Sequence, residues 1–192
     1  GSYSGGLLLL NNQKLIGDGS SGTLDAATGI SVPTYSNPLP TFSGIDPVVT
    51  SGANGINLGA DNTIRGLTIG NTTGTGIAGT SFGTLTVSET TINGSGQALD
   101  LEGGTLAATF DSVSSSSSTA DGIELDSISG SLTISGGTIA GASDRAVEIG
   151  TTTNGSGGDA TIHIGADINN TAGDAIFISE LSGGSVTFAG NI

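Results

Sequence analysis

The chain contains no cysteine, methionine or tryptophan, and only 3 lysines and arginines stand against 17 aspartates and glutamates. Each shortage excludes something. Without cysteine there is no disulfide framework and no thiolate metal centre. A formal net charge of −14 leaves almost nothing to neutralise phosphates, so nucleic acid is excluded as a partner and an anionic membrane surface is disfavoured. No run approaches the length of a membrane-spanning helix; Leu7-Leu8-Leu9-Leu10 is a strand-sized patch. With no leader and no initiator methionine, the chain reads as a mature or excised piece.

What is abundant is glycine, 35 residues of 192, with much serine and threonine. Such a composition can mean a flexible segment, but here the hydrophobic 34% is mostly Ile, Leu, Val and Ala, placed periodically. In Gly55-Ile56-Asn57-Leu58-Gly59-Ala60-Asp61-Asn62-Thr63-Ile64-Arg65-Gly66-Leu67-Thr68-Ile69 the apolar residues come in groups of one or two, separated by Gly, Asn and Asp. No helical spacing starts anywhere, and each group suits a strand of two to four residues.

These groups repeat. Ile56-Asn57-Leu58, Ile77-Ala78, Leu99-Asp100-Leu101, Ile123-Glu124-Leu125, Val147-Glu148-Ile149 and Ile176-Phe177-Ile178 each follow a small residue, at steps of 21, 22, 24, 24 and 29 residues. A second column aligns Leu85-Thr86-Val87, Ala108-Thr109-Phe110, Leu132-Thr133-Ile134, Ile162-His163-Ile164 and Val186-Thr187-Phe188. A third aligns Ile69, Ile92, Val113, Ile139, Ile168 and Ile192. Three short strands per repeat of about two dozen residues predict an all-β solenoid, a parallel β-helix of seven to eight coils occupying 1–192 as one domain. Residues 23–51, which hold all four prolines, are expected to be a loop excursion from an early coil that returns through Val48-Val49. Ser114 to Ser118 is expected to be an exposed turn.

At this point the chain resembles the right-handed parallel β-helix repeat domains of the pectate-lyase-like superfamily. Asn11-Asn12-Gln13-Lys14-Leu15-Ile16-Gly17-Asp18-Gly19 is similar to that group's first coil, a short strand ending in I-G-x-G, and Asn54-Gly55-Ile56 through Gly70-Asn71 is similar to its N-x-I-x-G-L-x-I coil. The likeness covers nearly the whole chain. It implies a fold rather than an activity, since such coils serve lyases, hydrolases, adhesins and stalks alike. Within the group the chain is most similar to large secreted bacterial β-helical surface proteins, which implies an extracellular, cell-surface location.

Between the two apolar positions of the first column stand Asn57, Ala78, Asp100, Glu124, Glu148 and Phe177, and the next outward position adds Glu102 and Asp126. Five carboxylates, Asp100, Glu102, Glu124, Asp126 and Glu148, therefore share one expected face. Adjacent strands lie about 4.8 Å apart, and two charges at about 5 Å repel by roughly 1 kcal/mol even in water. Such a file is a solvated face, or is relieved by protonation or by a cation, for which Ca²⁺ with its hard oxygen ligands is the candidate. In the pectin-degrading relatives this wall carries the substrate groove, which makes Asp100, Glu124, Asp126, Glu148 and Arg145 the residues of a catalytic alternative. Polygalacturonase-like relatives show a paired D-D, an H-G and an R-x-K, and this chain has none of them. Lyase-like relatives need a basic proton acceptor, and only Lys14, Arg65 and Arg145 exist.

The remaining motifs take the plainer reading. Arg65 is expected to balance Asp61. His163, the sole histidine, is expected at the surface of the second column, where it forms neither a metal site nor a triad. Gly155-Ser156-Gly157-Gly158 opens no helix and so makes no phosphate cradle. Outward threonines (Thr86, Thr109, Thr133 and Thr187; Thr68, Thr91 and Thr138) suit an exposed sheet face, with a flat ice-binding array as the rival. Val186-Thr187-Phe188-Ala189-Gly190-Asn191-Ile192 keeps the rhythm of the repeat, so Ile178, Phe188 and Ile192 are expected to offer a strand edge to further coils or to a second copy. The sequence thus favours a non-catalytic structural or adhesive segment with a glycan or surface protein as partner and no required cofactor. A polysaccharide lyase or hydrolase is the rival class.

Overall fold

In a computed structural model, the structure describes residues 1–150 and 157–192. In chain order the strands are β1 (Ser2–Ser4), β2 (Leu7–Leu8), β3 (Lys14–Ile16), β4 (Val48–Ser51), β5 (Ile56–Asn57), β6 (Asn62–Thr72), β7 (Ile77–Gly94) and β8 (Leu99–Phe110). They continue with β9 (Ser112–Ser115), β10 (Ile123–Ile134), β11 (Thr138–Ala140), β12 (Arg145–Ile149), β13 (Thr161–Ile164), β14 (Asp167–Asn169), β15 (Asp174–Ile178) and β16 (Ser185–Phe188). The one helix among the described residues, α1 (Leu24–Thr28), is five residues long. The strands form one 16-stranded sheet, and every pairing between them is parallel, as between β7 and β8 or β10 and β8.

The pairing builds columns of stacked side chains. In the first, Leu7, Ile56, Ile77, Leu99, Ile123, Val147 and Ile176 lie in register. The second runs Leu15, Ile64, Val87, Ala108, Leu132, Ile162 and Val186. The third begins Tyr3, Val49, Ile69, Ile92, Val113. Alternation sends every second side chain inward, and apart from Tyr3 and Val49 at the start of the third column the inward residues of the three columns merge into one hydrophobic cluster. Ile56, Ile64, Ile69, Ile77, Leu99, Ile123 and Ile134 are each 0% exposed. The long strands pass from one column to the next by bending. β7 turns at Ser81, Gly83 and Glu89, all with left-handed φ. At Gly66, φ is +65° and a Cβ would lie 2.2 Å from the backbone nitrogen of Ser20, so no other residue fits.

Two registers differ from the sequence alignment. Leu85 stands opposite Leu106, and Val87 rather than Leu85 opposite Ala108. In the third column Ile139 stands opposite Ser115 rather than Val113. Both are slips of two residues, which leave every side chain on its original face; alternation alone cannot distinguish them. The second slip puts Ser115, which shares the inward face of Val113, against Ile139. Ser115 is 0% exposed and its hydroxyl donates to the Gly96 carbonyl at 2.7 Å, and Ser118 is also buried, so only Ser116 and Ser117 of the run form the exposed bend expected.

The excursion leaves after β3 and returns at β4, whose Val48 and Val49 already stack on Thr68 and Ile69. Residues 48–51 of the expected 23–51 loop are therefore strand. An isolated antiparallel bridge, Thr23 to Thr41, closes the base of the excursion. Arg65 fastens that base, and its partner is Glu89 at 2.5 Å rather than Asp61. Asp61 instead accepts the Thr84 amide at 2.9 Å. Glu89 also accepts the Ser21 hydroxyl and, at 3.1 Å, the Ser21 amide. The Arg65 hydrogen bond, with help from Ser21, lowers the Glu89 carboxyl to about 2. The fastening is then complete above the ordinary pKa near 4.5 and is lost as pH falls toward 2.

Ile134→Ala should cost about 2–5 kcal/mol in denaturant unfolding, whereas Thr133→Ala, one residue away on the half-exposed face, should cost below about 1 kcal/mol. Equal costs would contradict the assigned facing. Glu89→Gln should speed proteolytic cleavage between residues 23 and 47 at neutral pH while leaving the melting of the column core nearly unchanged. Unaltered cleavage would show that the pair does not hold the excursion.

Candidate functional site

The acidic file assembles as the spacing predicts. Asn57, Ala78, Asp100, Glu124, Glu148 and Phe177 are successive in-register neighbours along one wall. Thr80, Glu102 and Asp126 form the parallel file beside them. Stacked carboxylates on half-buried strands resist ionisation: burial, with the Glu102 charge, pushes the Asp100 carboxyl up. Burial, then Asp100, does the same to Glu124, against the lowering effect of a hydrogen bond from Gln97.

Glu148 departs from the expected solvated face, being only 5% exposed. Its carboxylate is held by Arg145 at 2.5 Å, three residues earlier on β12. The guanidinium lies 4.5 Å from the centre of the Phe177 ring, one strand further along, and 3.7 Å from Asp144. A flat cation with a carboxylate at its edge and an aromatic ring on its face is a self-contained arrangement. Arg145 thus serves the wall's own packing, and its Nε is buried without a hydrogen-bond partner.

Behind the acidic file runs a second, more deeply buried one that the sequence reading missed. Asn54, Thr75, Gln97, Asp121 and Arg145 each sit three residues before an outward residue of the file. They connect through their side chains: the Asn54 amide donates to Asn57 at 2.9 Å, the Thr75 hydroxyl to Gln97 at 3.1 Å, and Gln97 Nε2 to Glu124 at 3.3 Å. The Arg145 backbone N–H donates to Asp121 at 2.8 Å. Thr75, Gln97 and Asp121 are all buried. The signal was present as a polar residue at the same offset in every repeat, but it stood beside Gly or Ala in what read as a turn.

Asp121, Asp144 and Glu148 bring carboxylate oxygens within 4.8 Å of one another. That grouping could hold a cation in principle, and here the positive charge among the three is the guanidinium of Arg145. Burial, opposed only in part by the Arg145 amide, pushes the Asp121 carboxyl up to about 6.

The other sequence candidates are dispersed. His163 is half-buried between Thr133 and Thr187 on the second column's outward file. The threonine file is broken, because Thr86 faces Ala107 and Thr109 faces Thr133. Lys14 donates to the Thr28 carbonyl at the end of α1, at 2.8 Å. Of the glycine-rich stretch, Gly155 and Ser156 lie outside the described residues. Ile178 and Ile192 are exposed, whereas Phe188 is half-buried against the core. Among the described residues no helix is long and apolar enough to cross a membrane.

Compared with protein-family models, with curated proteins and with solved structures, the chain matches none.

Arg145→Ala should destabilise the chain by about 3–5 kcal/mol in urea unfolding, because it leaves Glu148 buried without its partner. A loss below about 1 kcal/mol would mean that water reaches Glu148 and that the pair is a surface contact.

Proposed function

We propose that the chain is a right-handed parallel β-helix serving as a structural and adhesive section of a secreted bacterial surface protein. It would present its first wall to a saccharide or to another surface protein and catalyse nothing. The winding into a helix is supported by the seven in-register levels of the first and second columns, whose inward residues share one cluster. Right-handedness is the usual sense for parallel crossovers. The surface location rests on composition, with little lysine, much Ser, Thr, Gly and Asn, and strong acidity.

The observation that carries the non-catalytic reading is the engagement of every cation. Lys14 is on Thr28, Arg65 on Glu89 and Ser21, and Arg145 on Glu148 and Phe177. Lyase chemistry needs a basic side chain free to accept a proton beside the substrate; each lysine and arginine here is spent on holding strands or the excursion, and His163 stands on the second column's outward file rather than on the acidic wall. The rival hydrolase reading draws on one feature, the Asp100–Glu124 neighbours with ionisation pushed upward, which is how a general acid is kept protonated.

A glycan array with the wild-type chain and the Asp100→Asn/Glu124→Gln variant, combined with a reducing-end assay on the glycans that bind, separates these readings. Binding by the wild type that falls at least about tenfold in the variant, with no new reducing ends, is the expected result. Release of reducing ends would establish the hydrolase instead. Equal binding by both proteins would remove the acidic wall as the contact face.

A further inference from the structure

The triplet Asn-x-Ser/Thr is the acceptor motif for an asparagine-linked sugar, and it occurs here as Asn71-Thr72-Thr73, Asn93-Gly94-Ser95, Asn154-Gly155-Ser156 and Asn169-Asn170-Thr171. Asn154 lies outside the described residues. The fold treats the other three alike. Each stands at the end of a strand, just past the third-column residues Ile69, Ile92 and Ile168: Asn71 on β6, Asn93 on β7 and Asn169 on β14. Each is exposed, and none makes a side-chain hydrogen bond among the described residues. Asparagines elsewhere mostly hold structure. Asn11, Asn54, Asn57, Asn62, Asn170 and Asn191 all engage their carboxamides in hydrogen bonds within the chain. Outside the motif only Asn12 and Asn37 share the freedom of the three, and Asn12 is followed by Gln-Lys and Asn37 by Pro. The hydroxyl that completes the motif is also within reach at the surface. Ser95 is half-exposed and Thr171 exposed, both without a hydrogen bond, whereas Thr73 donates to the Gly52 carbonyl at 2.5 Å.

We propose that Asn93 and Asn169, with Asn71 as a lesser third site, accept asparagine-linked sugars on the corner between the third column and the acidic wall. The donor is a sugar activated as its diphosphate ester, and a glycosyltransferase brings it to the chain. The carboxamide nitrogen Nδ2 bonds to C1 of the sugar as the C1–O bond breaks. The diphosphate leaves with the electron pair, and one Nδ2 proton passes to a base of the transferase. The acceptor must offer a carboxamide that nothing else holds, a hydroxyl two residues on, and room for a bulky, solvated group. The corner offers all three, because the chain has finished the third column and has not yet started the next first-column strand. Gly94 packs against Gly70 and Asn71, so the sites on β6 and β7 belong to adjacent repeats of that corner. Sugars there would stand along one margin of the acidic wall and leave the apolar columns as they are. The proposal rests on the surface location put forward above, since such sugars mark secreted chains.

Peptide mass mapping of the chain isolated from the cells that naturally make it tests the sites, and protease shaving of those cells reads the location separately. The expected result is a sugar mass on Asn93 and Asn169 and none on buried Asn62. Ser95→Ala and Thr171→Ala, made in the same cells, keep both asparagines and should each lose the sugar from their own site alone. Bare Asn93 and Asn169 in the wild type would overturn the proposal, as would a sugar that stays on Asn93 in Ser95→Ala. Bare asparagines on a chain that shaving removes would overturn the sugars and leave the surface reading standing. Sugars on a chain that shaving does not reach would do the opposite. Should a variant fail to fold, the wild-type map decides alone.

Discussion

Parallel, in-register stacking at a spacing of about 4.8 Å is the constraint on which everything else in this chain depends. Stacking places the same position of each repeat directly over the same position of the last. An inward isoleucine therefore meets another aliphatic, as Ile56 meets Ile77 and Ile123 meets Val147. The same rule is unkind to charges, because an outward acid recurs as another acid: Asp100 under Glu124, Glu124 under Glu148, Glu102 under Asp126. The stack cannot be apolar inside and freely charged outside without cost on the outer files.

The chain meets that cost locally, and with little cationic material. Exposed Glu102 stays in solvent. Half-buried Glu124 takes a hydrogen bond from Gln97. Glu148, the most buried of the five, receives the guanidinium. The other arginine works at a corner, where Glu89 has a left-handed φ and the excursion must be pinned. Insertions gather at corners for the same reason that glycines do. Lengthening a turn leaves the columns untouched, whereas lengthening a strand would displace every later side chain.

The first column was fully legible in the sequence, since its small residue followed by an alternating apolar pair admits one alignment. The second and third columns were legible as to face but not as to register, because Leu85, Val87, Leu106, Ala108 and Phe110 all point inward and a two-residue slip costs nothing in patterning. Ser115 is buried because strand alternation continues through Val113 into the serine run, and that run read as a turn by composition alone. The acidic file was readable at every residue, yet the environment of Glu148 was not. That depends on an arginine three residues earlier and a phenylalanine one repeat later, and on Asp121, which sequence places in a turn.

The absence of cysteine makes the central claim directly measurable. Thr86 and Ala107 are exposed, in-register neighbours on adjacent strands, whereas Thr109 lies two residues further along the same strand. In-register partners about 4.8 Å apart are within reach of a disulfide, while a two-residue offset puts the Cα atoms beyond about 7 Å, where bridging requires backbone movement. The account predicts that the Thr86→Cys/Ala107→Cys variant oxidises rapidly to a bridged monomer and that Thr86→Cys/Thr109→Cys does not. The reverse preference would contradict the stacked register on which the fold and the acidic wall both rest.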